Sequence, residues 1–214
     1  MKIANLTPSL RVRGRWLCVL EDGTILRITE NEVAAFGLFS GAELSRERLE
    51  ELNAAARAAA VREKALALLS ARPMSRKELV DRLTARPRDR EKEPLADREM
   101  AEAAADRLEE LGYLNDADYA RALAEHCAAR GYGPAKLREE LYRRGVPREH
   151  WDAALEAMET PAAAIDAFLD KKLRGTDPSD PKALKRAADA LARRGFHWED
   201  IKDALRRYGA EEDM

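Results

Sequence analysis

The chain has 214 residues, of which 45% are hydrophobic, 36% charged and 6% aromatic, and its net charge is −2. This balance argues against a general nucleic-acid binder, which is typically basic, so any affinity for DNA has to come from local patches. No apolar run approaches the ~20 residues of a membrane span, and the N-terminal residues lack the apolar region of a secretory signal. We therefore expect a soluble, cytoplasmic protein without membrane contact.

The first 45 residues differ from the rest of the chain. The segments RWLCVL and TILRI flank the turn residues Asp22 and Gly23, a sequence that favours a β-hairpin. Asn31 is predicted to cap a short helix, and Ser45 to cap the helix after it. We expect residues 1–45 to form a β-hairpin extension, too small to be stable alone, that packs on the adjoining helical segment.

The remaining sequence has helical periodicity throughout. One long helix is predicted from about 46 to 71, a second after the cap residue Ser75, and a third from Asp97 to Leu111. The stretch 87–96, rich in charge and proline, is predicted to be an exposed loop. Six more helical segments come after it: DYARALAEHCAARG, PAKLREELYRRG, REHWDAALEAM, AAAIDAFLDKKL, KALKRAADALARRG and WEDIKDALRRYG.

The stretch GYLNDADYA, residues 112–120, connects two of these helices. Gly112 is predicted to end the first helix in the left-handed conformation, and Asn115 to cap the second, with Asp118 at the third helical position. Tyr113 and Leu114 lie between them. We expect this apolar pair to pack into the joint and to fasten one group of helices to the next.

The helices recur as related groups. The segment RRGVPREHWDAAL (143–155) aligns without a gap on RRGFHWEDIKDAL (193–205), 50 residues later. A looser match relates an earlier segment, in which Arg72, Leu79 and Leu83 precede their counterparts Arg130, Leu137 and Leu141 by 58 residues. The shared Arg-Arg-Gly turn indicates duplication rather than chance similarity between amphipathic helices.

The predicted fold is mainly α, with three tandem three-helix repeats in an elongated array, preceded by the small N-terminal β-hairpin region. The repeats are predicted at 46–114, 115–160 and 161–214. Because each unit buries its apolar face incompletely alone, the repeats are expected to stabilise one another at their junctions.

The sequence contains no recognisable catalytic constellation. His126 precedes Cys127 in a helix, but the helical spacing places Cys127 on the apolar face, where it is predicted to be a small buried side chain. Cys18 is distant in sequence, and His150 and His197 lie in turns without a second ligand four residues away. We predict neither a metal site nor a cofactor, and no enzymatic activity.

Basic residues are the remaining candidates for function. They gather near the ends of helices in the second and third repeats, and two interpretations are open. They either form a solvated face balanced by nearby carboxylates, or a periodic stripe that meets an acidic protein surface or a phosphate backbone. The candidate partner-binding residues are Arg130, Lys136, Arg143, Arg144, Lys171, Lys172, Arg193 and Arg194.

The three tandem units, the junction GYLNDADYA, the adjacent RGYGPAKLREELYRRGV and the closing WDAAL resemble the RecX family of bacterial RecA regulators. The resemblance covers roughly residues 60–208 and includes ALALLSARPMSRKELVDRL, and the hairpin is similar to an extension of some members. It implies binding to the RecA–single-stranded DNA filament within its helical groove, with inhibition of strand exchange and of ATP hydrolysis by RecA. The 87–96 loop and the link RGTDPSDP are longer than the family pattern.

The preferred interpretation is therefore a non-enzymatic, monomeric regulator of the RecA filament in recombination and DNA repair, with possible contact to single- or double-stranded DNA through basic patches. A DNA-binding regulator is the alternative, because three-helix units of this length also resemble helix-turn-helix modules. The second helices, however, carry few Asn, Gln or Ser residues that could read base edges. A scaffold of stacked helices is a third possibility.

Overall fold

The computed structural model describes residues 1–87, 93–158, 161–175 and 180–211, which form three β-strands and ten α-helices. Much of the predicted 87–96 loop and of the RGTDPSDP link lies outside these ranges. The chain divides into two compact units. The first comprises Met1–Arg72 with Leu79–Tyr113, and the second comprises Pro73–Glu78 with Leu114–Met214.

The N-terminal region is a three-stranded antiparallel sheet rather than a hairpin alone. Its strands are β1 (Ile3–Pro8), β2 (Arg15–Leu20) and β3 (Ile25–Thr29), in the order β1-β2-β3. The predicted turn is confirmed, since Gly23 has φ 86° and its N–H donates to the carbonyl of Leu20 at 3.0 Å. Strand β1 was not predicted, because Ile3 is its one buried residue and the strand therefore shows little apolar alternation.

The predicted cap at Asn31 is wrong. Helix α1 spans Glu30–Ala35 and its cap is Thr29. The Thr29 backbone N–H and hydroxyl both donate to the carboxylate of Glu32, at 2.8 and 2.6 Å. This capping box outcompetes a single Asn31 cap because it engages the side chain of Glu32 as well.

The first unit has a core in which the sheet and the first long helix share side chains. Helix α2 (Arg46–Ala71) begins at Ser45, whose hydroxyl accepts from the Arg48 N–H at 3.2 Å. Leu52 of α2 is fully buried in one cluster with residues of the sheet. The expectation that the N-terminal region packs on the adjoining helical segment is therefore confirmed. The buried members of this cluster are Ile3, Cys18, Leu20, Ile28, Leu38, Leu44 and Leu52.

The next two helices begin where the sequence predicts. Helix α3 spans Arg76–Leu83, and the Ser75 hydroxyl accepts from the Glu78 N–H at 3.1 Å. Helix α4 spans Arg98–Glu110 and is capped by Asp97, whose carboxylate accepts from the Met100 N–H at 2.8 Å.

The joint after α4 is confirmed in its backbone but not in both of its side chains. Gly112 has φ 74°, and the Tyr113 N–H donates to the carbonyl of Leu108 at 2.8 Å, which closes the helix end. Leu114 is 3% exposed, as expected for a packed residue. Tyr113 is 63% exposed, so the prediction that it packs into the joint is wrong.

The second unit contains two three-helix groups, each with its own core. The first group begins at Asn115, which accepts from the Ala117 and Asp118 N–H groups as predicted. Its helices are α5 (Asp116–Ala129), α6 (Pro134–Arg143) and α7 (Trp151–Glu156), the last preceded by a 3₁₀ turn at Arg148–His150. The second group comprises α8 (Pro161–Leu173), α9 (Pro181–Arg193) and α10 (Trp198–Glu211).

Equivalent residues of the two groups fill equivalent places. Leu141 and Val146 lie in the first core, and Leu191 and Phe196, 50 residues later, lie in the second. Cys127 is buried in the first core, which confirms its predicted packing role. No helix in the described part of the chain is long and apolar enough to cross a bilayer.

Candidate partner-binding site

The two Arg-Arg-Gly turns have the same backbone structure. Gly145 and Gly195 adopt positive φ values of 66° and 88°. The next residue in each turn, Val146 or Phe196, donates its N–H to a carbonyl of the helix that is ending, at 3.0 and 3.3 Å respectively. The turn is therefore a repeated helix-end motif in which glycine supplies the left-handed conformation.

The second arginine of the first turn is a structural residue. Arg144 is half-buried and donates to the Tyr119 hydroxyl at 2.6 Å and to the Glu140 carboxylate at 3.2 Å. Its guanidinium also lies 6.0 Å from the centre of the Tyr119 ring. These contacts lie within one three-helix group and leave Arg144 little freedom to bind a partner.

Arg194, in the second turn, has an equivalent role. Its guanidinium lies 4.7 Å from the centre of the Phe168 ring and donates to the carbonyl of Gly131 at 3.3 Å. Phe168 on α8 thus takes the place that Tyr119 has on α5. In addition, Arg194 joins the two groups of the second unit, since Gly131 comes after α5 and Arg194 ends α9.

Backbone contacts reinforce this junction. The Gly133 N–H donates to the carbonyl of Arg194 at 2.8 Å, and the Ala135 N–H donates to the carbonyl of Gly195 at 3.0 Å. Gly133 is buried, and a Cβ atom there would lie 2.6 Å from the backbone nitrogen of Phe196. The start of α6 therefore approaches the second Arg-Arg-Gly turn too closely for any side chain at this position.

The first Arg-Arg-Gly turn is contacted in a similar way. The Ser75 hydroxyl donates to the carbonyl of Arg144, and Ser75 stands 58 residues before Gly133, the offset of the looser repeat. In both cases, the residue before the second helix of a repeat donates a hydrogen bond to the carbonyl of the second arginine in the Arg-Arg-Gly turn of the next repeat. Beside Ser75, the Arg76 N–H donates to the buried carboxylate of Asp116 at 2.8 Å.

The two arginines of each pair look equivalent in the sequence, but they differ in the structure. Arg143 and Arg193 are exposed, whereas Arg144 and Arg194 are half-buried. Arg143 pairs with Glu140 at 2.5 Å. The difference arises because the first arginine ends its helix on the solvent side, while the second turns back over an aromatic ring.

A groove lies between α5 and α8, with α9 closing one side. Its volume is about 930 Å³. Most of the side chains that line it are small or apolar, and four are cationic. The lining residues are Ala128, Ala129, Arg130, Gly131, Ala163, Ala164, Ala167, Phe168, Lys171, Lys172, Ala190 and Arg194.

The groove brings together half of the predicted partner-binding residues: Arg130, Lys171, Lys172 and Arg194. The other four do not line it. Lys136 is half-buried and pairs with Glu139 at 2.7 Å, Arg143 and Arg144 lie at the other Arg-Arg-Gly turn, and Arg193 lines a separate cavity of about 460 Å³.

The groove is electropositive. Arg130, Lys171 and Lys172 are exposed, and none of them forms an ion pair with a carboxylate of the described residues. No acidic residue is among the described residues that line it. The site can therefore attract an anionic group despite the net negative charge of the chain.

The apolar part of this site is not evident from the sequence. The alanines that line the groove give no signal, because alanine is also common in helices that do not line it, such as α2 and α4. Phe168 could have been found, since it precedes its Arg-Arg-Gly turn at nearly the spacing that separates Tyr119 from the earlier turn.

The cysteines and histidines do not form a second site in the described part of the chain. No group of three or more His, Cys, Asp or Glu side chains there is placed to hold a metal ion. Burial raises the pKa of the Cys18 and Cys127 thiols, which keeps them protonated and poorly reactive at neutral pH.

Comparison with known proteins gives family models for two of the three-helix groups and relatives over about two thirds of the chain. The family model described as the second three-helix domain of RecX matches residues 115–155, and the model of the third three-helix domain matches residues 161–205. A protein named regulatory protein RecX from Pseudomonas entomophila (strain L48) is 37% identical over 143 residues, covering 66% of this chain and 87% of the relative. The protein of that name from Stenotrophomonas maltophilia (strain R551-3) is 38% identical over 145 residues, covering 67% and 84%.

Two solved structures share the fold. A crystal structure of regulatory protein RecX has a TM-score of 0.68 at 19% identity, covering 95% of this chain and 98% of its own. The crystal structure of RecX from Lactobacillus salivarius has a TM-score of 0.59 at 18% identity, covering 71% and 96%. At these identities the likeness concerns the fold alone.

Proposed function

The chain belongs to the RecX family of regulatory proteins, and we propose that it binds the filament formed by RecA on single-stranded DNA and inhibits strand exchange and ATP hydrolysis by RecA. Recombination and DNA repair would be modulated through this contact. The protein acts by binding rather than by catalysis, and its effect on ATP hydrolysis is exerted on the enzyme that it binds.

The observation that carries the proposal is the electropositive groove between α5 and α8. It lies within the region matched by the two RecX domain models, and it collects the cations Arg130, Lys171 and Lys172 without a carboxylate partner among the described residues. An anionic filament of protein and DNA is a suitable partner for such a surface. Complementary charge accelerates the encounter and orients the two partners.

The junction between the two groups of helices supports the same proposal. The bonds of Gly133 and Ala135 to the second Arg-Arg-Gly turn join the start of α6 to the end of α9, and so connect the two groups of helices that contribute α5 and α8 to the groove. A groove held by backbone contacts keeps its shape before binding, so little conformational entropy is lost when a partner enters.

The test is inhibition of single-stranded-DNA-dependent ATP hydrolysis by RecA, titrated with the wild-type chain. Lys171→Ala/Lys172→Ala is compared with Lys182→Ala/Lys185→Ala, which removes two exposed lysines of α9 that do not line the groove. Both variants lose the same charge. We expect the first to need about tenfold more protein for half-inhibition, equivalent to ~1.4 kcal/mol, and the second to resemble wild type.

Bare single-stranded and double-stranded DNA are titrated in parallel to examine the helix-turn-helix alternative. A wild-type chain that binds duplex DNA tightly and leaves RecA activity unchanged would establish the DNA-binding regulator instead. Equal loss of inhibition in both lysine variants would assign the effect to overall charge rather than to the groove.

A further inference from the structure

We propose that the groove between α5 and α8 receives an acidic helical segment of the partner protein, rather than the phosphate backbone of DNA. The inference rests on the proposed function, because the partner is taken to be the RecA filament. It specifies which component of that filament enters the groove. Three features of the groove carry it: its size, its floor and the arrangement of its cations.

The size fits a short piece of helix. A helix with its side chains is about 10–12 Å wide and rises 5.4 Å per turn, so a volume of about 930 Å³ accommodates roughly two turns. The walls are themselves helices, α5 and α8, whose surfaces form the ridges and grooves against which another helix packs.

The floor of the groove consists of alanine side chains and is apolar. Ala128 and Ala129 come from α5, and Ala163, Ala164 and Ala167 come from α8. Ala163 and Ala167 are exposed, so their methyl groups face solvent. Burying such methyl groups favours an occupant with an apolar face of its own, at about 25 cal/mol per Å² of apolar surface. A phosphate backbone has no such face.

Among its described residues, the groove lacks the free aromatic faces on which the bases of a single DNA strand could stack. Proteins that hold single strands stack the bases on free aromatic faces. Phe168 is the one aromatic side chain among the described residues that line the groove, and the Arg194 guanidinium lies over its ring at 4.7 Å. That face of the ring is already occupied, so the groove offers a base little surface for stacking.

The positions of the cations indicate where the bound segment carries acidic residues. Arg130 lies just after the end of α5, and Lys171 and Lys172 lie in the last turn of α8. In each helix the cations come after the alanines, on their C-terminal side, rather than between them. A helix with small apolar residues on one face and Asp or Glu on its flanks, three or four positions apart, complements this arrangement.

The first experiment tests the contribution of the alanine floor to binding without changing the charge of the groove. Ala167→Trp fills the groove without changing any charge, and Ala162→Trp is its matched control, since Ala162 is an exposed residue of α8 that does not line the groove. Binding of fluorescently labelled chain is measured against RecA assembled on poly(dT) with a non-hydrolysable ATP analogue, and against poly(dT) alone. Melting temperatures verify that both variants are folded.

We expect Ala167→Trp to weaken filament binding by at least about tenfold and Ala162→Trp to bind like wild type, with any binding to poly(dT) equal in both. Normal filament binding by Ala167→Trp overturns the inference and leaves the proposed function intact. Equal weakening of filament and poly(dT) binding by Ala167→Trp also overturns it, because the groove would then be a nucleic-acid site.

A second probe does not depend on RecA. A synthetic peptide of about 18 residues, long enough to be helical, carries Ala and Leu on one face and Glu on both flanks. We expect it to bind wild type and Ala162→Trp but not Ala167→Trp, and a scrambled peptide of the same composition to bind none of them. If the chain ignores the filament yet binds this peptide, the proposed function fails and the assignment of the groove stands. Absence of peptide binding overturns the assignment.

Discussion

Among single residues, Arg143 and Arg144 show that neighbouring side chains of the same type can differ in their contribution to stability. Arg143 and Arg144 are adjacent and chemically identical. Arg143 is exposed and makes one ion pair, whereas Arg144 is half-buried and bonds to a carboxylate and a hydroxyl. An exposed ion pair contributes little to stability, while removal of a buried donor leaves its partners without a hydrogen bond.

We therefore predict that Arg144→Ala lowers the free energy of unfolding by about 2 kcal/mol, and that Arg143→Ala changes it by less than about 0.5 kcal/mol. Urea denaturation followed by circular dichroism measures both values. Equal effects of the two substitutions would contradict the structural role assigned to Arg144. The double substitution Arg143→Ala/Arg144→Ala is unsuitable for testing partner binding, because the predicted loss of stability would be confused with a loss of binding.

Glu140 supplies a pH-dependent part of this stability. Burial raises the pKa of Glu140, but hydrogen bonds from Arg143 and Arg144 outweigh it and hold the pKa below its usual value of 4.5. A carboxylate with a depressed folded-state pKa stabilises the fold above the unfolded pKa, and this contribution is lost as the pH falls through the folded pKa.

Glu140→Gln should consequently be less stable than wild type at pH 7, by about 1 kcal/mol, and the gap should close as the pH falls through the folded-state pKa of Glu140. Denaturation curves of both proteins across this range measure the difference. A gap that stays constant with pH would mean that the charge of Glu140 contributes nothing.

At the scale of the elements, the contact between the start of α6 and the second Arg-Arg-Gly turn determines how two helix groups join. Gly133 has φ −88°, which any residue can adopt, but a Cβ there would collide with the backbone of Gly195 and Phe196. Gly112 is the opposite case, with φ 74° and open space around it. One glycine is required for close approach and the other for its conformation.

Gly133→Ala is predicted to cost about 3 kcal/mol or more, because the two backbones have to move apart, and to reduce RecA inhibition by distorting the groove. Gly112→Ala should cost about 1–2 kcal/mol, the strain of a left-handed alanine, with inhibition unchanged. Thermal melting and the ATPase assay measure both. A mild effect of Gly133→Ala on stability would show that the junction can open without loss.

At the scale of the whole molecule, the chain is acidic overall and yet carries an electropositive groove. Attraction to an anionic partner therefore has to act at short range, against weak overall repulsion. Salt screens exposed charges over about 10 Å at 0.1 M ionic strength.

Half-inhibition of RecA should accordingly require several-fold more protein when the salt concentration is raised from about 0.05 to about 0.3 M. RecA activity without inhibitor, measured at each salt concentration, is the control, together with the melting temperature of the chain. Inhibition that does not change with salt would place the contact on an uncharged surface and count against the groove.

Most helix ends, the relation between the helix groups and the family resemblance could be read from the sequence alone. Helix caps and left-handed glycines are local interactions within a few residues, so Ser45, Asp97, Gly112 and Asn115 could be assigned from their neighbours alone. Thr29 and Asn31 are both residue types that cap helices, so the local sequence alone did not show which of them caps α1. The strand β1 was missed because its pairing with β2, rather than its own apolar content, holds it in the sheet.

Which basic residues are exposed could not be read from the sequence, because it depends on contacts between distant segments. Arg144 and Arg194 look like their exposed neighbours in sequence, and their engagement depends on Tyr119 and Phe168, which are distant along the chain. The groove likewise depends on a contact between distant segments, since Gly133 and the second Arg-Arg-Gly turn join the two helix groups whose residues line it. Contacts between distant segments depend on how whole helices pack, and no local pattern encodes that packing.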